Sequence, residues 1–324
     1  MKAPFFDRVR RHSRSLFKQF KIDRHFSYRL AVYRAINHIS GGVFGNYSLL
    51  NKSKDKELLK LIGEIEKPVI EKYYKRYDLG EYVENAPVFV CWWDGIDSAP
   101  ILVKRCIRSI RENSNGHPVH FIDKYNYHEY VEIPTFILKK AEMGIMGLAN
   151  LADYLRVSLI AKYGGIWIDA TILAVKQIPD TYFKFPVFSI KDQRNEDSLY
   201  IAQSRWSTFF IGGMKGNVFF EFLKEAFEEY WSKNDKLIEY MLFDYLIEIS
   251  YRTNKEIRRM IDTIPVNNTH CFALRDGLII EAPVSEMSNY IFEDTIFYKL
   301  SWKSHFGMKA SNGEDSIYAS IINS

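Results

Sequence analysis

Asp169 and Thr171 close a β-forming run over residues 166–171. Alternate side chains of a strand share a face, so this run places Trp167, Asp169 and Thr171 together. An acid at the carboxyl end of a strand lies where open α/β sheets bind ligands. Its oxygens suit Mg²⁺ or Mn²⁺, which neutralises a diphosphate leaving group. The alternative interpretation is a solvent-facing acid in a half-exposed strand.

A second acid and a cation precede this run. Asp153 and Arg156 lie three residues apart on a predicted helix, so their side chains share a face. One interpretation is a local ion pair. The other is that both lie beside Asp169 and bind hydroxyls of a polar ligand. The short Gly164-Gly165 connection favours that proximity.

Two adjacent tryptophans and one acid in an apolar stretch are further candidates. Trp92 and Trp93 end the first predicted strand and offer a stacking surface for a nucleobase. Adjacent strand residues point to opposite faces, so only one of them faces the cleft, and the other is expected in the core. Asp244 lies in an apolar helical stretch, where it either contacts an acceptor or has a structural partner.

Alternating elements are predicted to position these side chains. Strands over residues 87–93 and 119–123, helices over 101–112 and 148–162, and a β-rich run over 166–175 follow one another. This alternation indicates a mostly parallel, right-handed, Rossmann-like α/β sheet. Two long helices, over residues 217–231 and 236–250, and a short β-rich tail over 295–302 are also predicted.

Composition places the chain among globular proteins. Its 324 residues are 47% hydrophobic and 26% charged, which predicts one extended domain over residues 51–324 with a packed core. Three cysteines without CxxC spacing argue against disulfides and a zinc site and fit a reducing cytoplasm. We find neither a long apolar stretch nor a signal peptide, so a soluble or membrane-peripheral protein is expected.

Residues 1–50 are predicted to form a basic arm. Between Lys2 and Arg34 there are ten Lys or Arg residues against two acids, interleaved with phenylalanines. Such a segment suits contact with an anionic membrane leaflet, and the alternative is a solvated arm. The net charge of +4 is too small to predict nucleic-acid binding, which would rest on this arm alone.

The motifs together resemble a known family. The Asp153-x-x-Arg156 pair, the run over residues 162–171 and the segment Trp92-Trp93-Asp94-Gly95 resemble the capsular polysaccharide synthesis family. The wider glycosyltransferase family 32 is similar, and the resemblance is strongest over residues 88–179. It implies a GT-A fold and a retaining glycosyltransferase that uses a nucleotide sugar.

The resemblance also implies roles for individual residues. Asp153 and Arg156 would bind hydroxyls of the donor sugar, and Asp169 would be the first acid of a DxD motif, so these three are the catalytic candidates. Thr171 stands where the second Asp usually lies, which leaves dependence on Mn²⁺ or Mg²⁺ open; Asp169 and His305 are the candidate ligands. The implied donor-binding set is Trp92, Trp93, Asp153, Arg156, Gly165, Trp167, Thr171, Ser301, Trp302 and Lys303.

The expected activity is transfer of a hexose from a nucleotide donor, preferably UDP-linked. The expected acceptor is a cell-surface polysaccharide or a lipid-linked glycan. Because Thr171 departs from DxD, a catalytically silent sugar-nucleotide-binding scaffold is the alternative. A nucleotide-binding oxidoreductase is excluded, because Gly164-Gly165 follows a helix instead of opening one after a strand.

Overall fold

A computed structural model describes residues 17–41, 48–196 and 198–323. Part of the predicted basic arm, residues 1–16 and 42–47, lies outside these ranges, and its membrane contact stays a prediction. The described chain begins in a helical stretch over residues 17–26. The helices that follow are α1 (Tyr28–Gly41), α2 (Ser48–Ile65), α3 (Lys67–Tyr73), α4 (Ile101–Glu112), α5 (Tyr127–Tyr130), α6 (Thr135–Glu142), α7 (Leu148–Tyr163), α8 (Val218–Lys233), α9 (Leu242–Thr253), α10 (Lys255–Asp262), α11 (Gly277–Ile280) and α12 (Ile317–Asn323).

The strands of the described residues are β1 (Val88–Cys91), β2 (Val119–Ile122), β3 (Gly165–Ile168), β4 (Ile172–Ala174), β5 (Val187–Ser189), β6 (Phe210–Gly213) and β7 (Phe297–Lys299). Five of them form the central sheet, in the order β2-β1-β3-β6-β5. Strands β1, β2 and β3 are parallel, β6 is antiparallel to β3, and β5 is antiparallel to β6. Four of the five strands therefore run in one direction, which confirms the predicted mostly parallel α/β sheet and is consistent with a GT-A fold.

The junction between α7 and β3 is unusually tight. The backbone N–H of Gly164 donates to the carbonyl of Ile160 at 2.7 Å and ends the helix. Gly164 and Gly165 both have positive φ, which glycine adopts without strain. Since β3 begins directly at Gly165, acids on α7 and at the end of β3 are brought close together.

The predicted β-rich run over residues 166–175 is divided in the structure. Strand β3 ends at Ile168, and Asp169 to Thr171 form a turn that leads into β4. Strand β4 pairs antiparallel with β7 in a separate two-stranded sheet, with Ile172 opposite Lys299. Asp169 and Thr171 are therefore positioned by a turn, and the strand alternation inferred from the sequence ends before them.

A cluster of buried apolar residues, which we call the second apolar cluster, packs the sheet of β4 and β7 against the remainder of the protein. Tyr298 is fully buried in it, and its hydroxyl accepts from the backbone N–H of Phe292 at 2.9 Å. Burying an aromatic side chain of this size contributes on the order of 2 kcal/mol, so the cluster fixes β7. Its buried members are Leu102, Cys106, Leu173, Leu274, Ile280, Tyr298, Leu300, Ile317 and Ile321.

The described part of the N-terminal segment contacts the remainder of the protein. Leu30 is fully buried, and the Arg34 guanidinium contacts the carboxylates of Asp23 and Glu239. It also donates to the carbonyl of Ile238 at 3.1 Å. No helix within the described ranges is both long and apolar enough to cross a membrane.

Candidate active site

Asp169 is the centre of a hydrogen-bonded cluster in the turn after β3. Its Oδ1 accepts from the Trp167 indole N–H at 2.9 Å and from the Arg156 guanidinium at 3.2 Å. Its Oδ2 accepts from the Lys299 ammonium at 2.7 Å. The side chain retains 27% exposure, so it faces the cleft while its charge is held by two cations.

Arg156 connects the candidate acids. Its guanidinium donates to the carbonyl of Thr208 at 2.5 Å and lies 3.3 Å from Asp153 Oδ1 as well as near Asp169. The guanidinium carbon lies 4.9 Å from the Trp167 ring centroid and 5.4 Å from that of Phe243. Asp153 and Arg156 therefore pair with each other, and Arg156 also contacts Asp169, while binding of ligand hydroxyls by this pair stays a prediction.

Lys299, just before the predicted residues Ser301, Trp302 and Lys303, also joins the cluster. Its ammonium donates to Thr171 Oγ1 at 2.8 Å in addition to Asp169 Oδ2. The antiparallel register of β4 and β7 places it beside Thr171, more than a hundred residues earlier in the chain. No local sequence pattern signals such a long-range pairing.

Two adjoining pockets share Asp169, Ala152 and Tyr240 in their walls. The larger one, of about 400 Å³, we call the cation pocket; it is lined by Arg275, Lys299 and Lys303. The smaller one, of about 240 Å³, we call the acid pocket; it is lined by Asp153 and Asp244. Further walls of the cation pocket are Cys91, Trp92, Trp167, Ala170, Thr171, Leu300, Ser301 and Trp302.

The predicted tryptophans take different positions. Trp92 lines the cation pocket, and its ring meets Trp302 edge to face, with centroids 5.6 Å apart. Trp93 is not among the residues that line either pocket, and its ring lies 5.4 Å from that of Tyr127. Strand β1 ends at Cys91, so the prediction that both tryptophans belong to the strand is wrong; they enter a turn closed by the Gly95 N–H, which donates to the carbonyl of Trp92 at 2.9 Å.

The remaining predicted residues are divided between the pocket and its surroundings. Ser301 and Lys303 line the cation pocket with Trp302. Gly165 lies within β3, where its backbone packs against Pro87, and neither pocket includes it in its walls. His305 is exposed and likewise absent from both walls. The roles predicted for all of these residues stay predictions.

Burial affects the three acids differently. Burial raises the pKa of Asp153 to about 7, and the nearby Arg156 only partly offsets this effect. Burial also raises the pKa of Asp244 to about 6 although the Trp206 indole donates to it at 2.9 Å. For Asp169 burial is again the largest single influence, but the opposing effects of Lys299, Arg156 and the Trp167 hydrogen bond together lower its pKa. Asp169 is therefore the most acidic of the three.

The raised pKa of Asp153 predicts a pH-dependent stability difference. The folded protein binds this proton more tightly than the unfolded chain, so the stabilisation is present at low pH and is lost as pH rises through about 7. Asp153→Asn keeps the side chain neutral throughout. As pH rises from 3.8 to about 7, we expect the free energy of unfolding of wild type to fall by on the order of 2–4 kcal/mol relative to that of this variant. Urea unfolding of both proteins across this range measures it, and a difference independent of pH would contradict it.

The donor set fits a divalent metal ion poorly. Such ions need several oxygen ligands, commonly including one or two carboxylates. Both oxygens of Asp169 already accept from positively charged donors, and the Thr171 hydroxyl accepts from Lys299. Among the described residues there is also no group of three His, Cys, Asp or Glu side chains able to hold a metal. We therefore derive no step through a metal ion.

Sequence comparison places the chain in a family. It matches the family described as capsular polysaccharide synthesis protein over residues 46–321, most of its length, and belongs to that family. Membership indicates a glycosyltransferase-like role in capsular polysaccharide synthesis. No curated protein sequence matches the chain.

Proposed function

We propose that this protein is a retaining glycosyltransferase that transfers a hexose from a UDP-sugar to a growing capsular polysaccharide or a lipid-linked glycan. One observation carries the proposal: Asp169 forms a wall common to a cation-lined pocket and an acid-lined pocket. A nucleotide sugar has the matching division, an anionic diphosphate joined to a neutral, hydroxyl-rich ring. Asp169 would lie at the bond between them.

The cation pocket suits the nucleotide. Arg275, Lys299 and Lys303 face one acid there, and ammonium and guanidinium groups bind phosphate oxygens strongly. Trp92 and Trp302 supply aromatic surface for the uracil. The volume of about 400 Å³ is within the range of ~300–1,000 Å³ found for ligand sites.

The acid pocket suits the sugar ring. Asp153 and Arg156 offer an acceptor and donors for hydroxyl groups, and both line this pocket with Asp169. Its volume of about 240 Å³ is smaller than that of sites for drug-sized ligands, as expected for a single ring. Asp244 lines the same pocket and is proposed to contact the acceptor hydroxyl, although it also has the structural partner Trp206.

Catalysis in this arrangement is positioning and electrostatic stabilisation. The bond from the anomeric carbon to the diphosphate oxygen breaks, and its electron pair leaves on the diphosphate beside Lys299. The acceptor oxygen forms the new bond, and its proton passes to the departing diphosphate. The ionised Asp169 stabilises the positive charge that develops on the sugar ring, because it lies in the wall shared by both pockets.

The acceptor would be reached at the inner face of the membrane. We propose a cytoplasmic, peripheral protein whose N-terminal segment contacts anionic lipid. A groove lined by Arg29, Lys56 and Lys60 supports this placement, although Glu57 also lies in its wall. Nucleic acid is not part of the proposal.

A pair of adjacent tryptophans provides the test. Trp92→Ala removes aromatic surface from the cation pocket and is expected to weaken UDP binding by about tenfold, since stacking on a base contributes on the order of 1–3 kcal/mol. Trp93→Ala is the matched control, because its ring packs on Tyr127 outside both pockets. It should lower thermal stability and leave UDP affinity unchanged. Isothermal titration calorimetry measures both affinities, and equal affinities in the two variants would contradict the proposed nucleotide position.

A further inference from the structure

We propose that the ammonium of Lys299 takes the place of the divalent metal ion, so that this protein binds its nucleotide sugar without one. The inference rests on the proposed function and specifies how the diphosphate is held. It arises from the disagreement between a DxD-like motif, which implies a metal, and the side chains that surround Asp169.

Lys299 lies where a metal bound to this motif would have to be. Its ammonium lies 2.7 Å from Asp169 Oδ2, whereas Arg156 contacts Oδ1. It also lies 2.8 Å from the hydroxyl of Thr171, the residue at the third position of the motif. A metal held by these two side chains would compete with the ammonium for the same oxygens. It would also be repelled by the ammonium itself and by Arg156 on the other carboxylate oxygen.

The position of Lys299 is fixed by its surroundings. Its backbone N–H donates to the carbonyl of Cys271 at 2.7 Å, and its strand pairs with β4. The ammonium lies 5.1 Å from the Phe209 ring centroid, and the side chain is only 17% exposed. Such a side chain loses little conformational freedom on binding a ligand, which favours preorganised electrostatics.

The ammonium also retains capacity for the ligand. Lysine has three N–H donors, and the acceptors found among the described residues are Asp169 and Thr171. The third donor is available to a diphosphate oxygen in the cation pocket, which Lys299 lines together with Arg275 and Lys303. The cation pocket carries three positive charges, on Arg275, Lys299 and Lys303, and one negative charge, on Asp169. The difference of two positive charges balances the two negative charges of a UDP-sugar diphosphate.

The test is a calorimetric titration of UDP into the full chain, once with EDTA and once with Mn²⁺. We expect wild type to bind UDP equally well in both buffers. Lys299→Met keeps the aliphatic part of the side chain and removes the charge, so it should weaken UDP binding at least about tenfold in both buffers. Lys299→Arg should restore part of the loss. Lys309→Met is the matched control, because Lys309 lies on the surface in an ion pair with Asp315, and it should bind UDP as wild type does.

The outcomes separate the inference from the function on which it rests. If wild type binds UDP only with Mn²⁺, the inference is overturned and the proposed function stands. Affinity that is unchanged in Lys299→Met also overturns it. If wild type binds no UDP in either buffer, both proposals fall. If circular dichroism shows that Lys299→Met does not fold, the UDP affinities of wild type and of Lys299→Arg in the two buffers test the inference instead.

Discussion

Asp169→Asn is expected to reduce sugar transfer by about 10²–10³-fold, the loss seen when one preorganised electrostatic contact to a transition state is removed. The substitution keeps the shape of the side chain and removes the charge that Lys299 and Arg156 share. Release of UDP from the UDP-hexose that wild type turns over, with water as acceptor, measures the effect.

A matched control separates the charge at this site from charge in general. Asp315→Asn removes an acid from an exposed pair with Lys309, and exposed pairs contribute at most about 1 kcal/mol. We expect full turnover from this variant. Thermal unfolding of both variants checks that the fold is retained, and wild-type turnover in a folded Asp169→Asn would refute the role given to this carboxylate.

Gly165→Ala is expected to have the largest effect on stability. A Cβ at this position would lie 2.0 Å from the carbonyl oxygen of Pro87, and φ is +94°. The contact is with the backbone just before β1, and the same Pro87 carbonyl accepts from the Ile166 N–H at 2.9 Å, so relieving the clash disturbs the pairing of β1 with β3. We expect the free energy of unfolding to fall by more than about 3 kcal/mol, because the cost of the unfavourable φ adds to that of a severe clash in a packed interior. Urea unfolding measures it.

Gly116→Ala is the control that separates the clash from the backbone strain. Gly116 has φ +83° but nothing within 4 Å of the added Cβ. Gly116→Ala should therefore lower the free energy of unfolding only by the conformational penalty, about 1–2 kcal/mol. If both variants lose the same free energy of unfolding, the close approach of Gly165 to Pro87 is not the reason that β3 requires glycine at this position.

Much of the fold was predictable because its signals are local. Helix α4 begins and ends at the predicted residues, since Pro100 precedes it and apolar positions repeat along it. The predicted helix over residues 236–250 begins instead at Leu242. Backbone groups of Lys236 and Ile238 hydrogen-bond to the buried hydroxyl of Tyr230, an interaction with another element that competes with helix formation.

The candidate site was predictable where its residues are close in sequence. Asp153, Arg156 and Asp169 meet because one tight junction joins α7 to β3. Lys299 joins them only through the pairing of β4 with β7, whose register depends on the packing of the second apolar cluster. Whether the motif holds a metal stays a prediction that depends on the same pairing, because Lys299 contacts both Asp169 and Thr171.

Titration of UDP and of UDP-glucose, UDP-galactose and their N-acetyl forms into the wild-type protein tests the central claim most directly. If the cation pocket holds the diphosphate and the acid pocket holds the sugar, UDP binds and one of the UDP-sugars binds more tightly than UDP. Asp153→Asn then loses that additional affinity and keeps the affinity for UDP, because Asp153 lines only the acid pocket. Absence of binding heat with all five nucleotides would contradict the account.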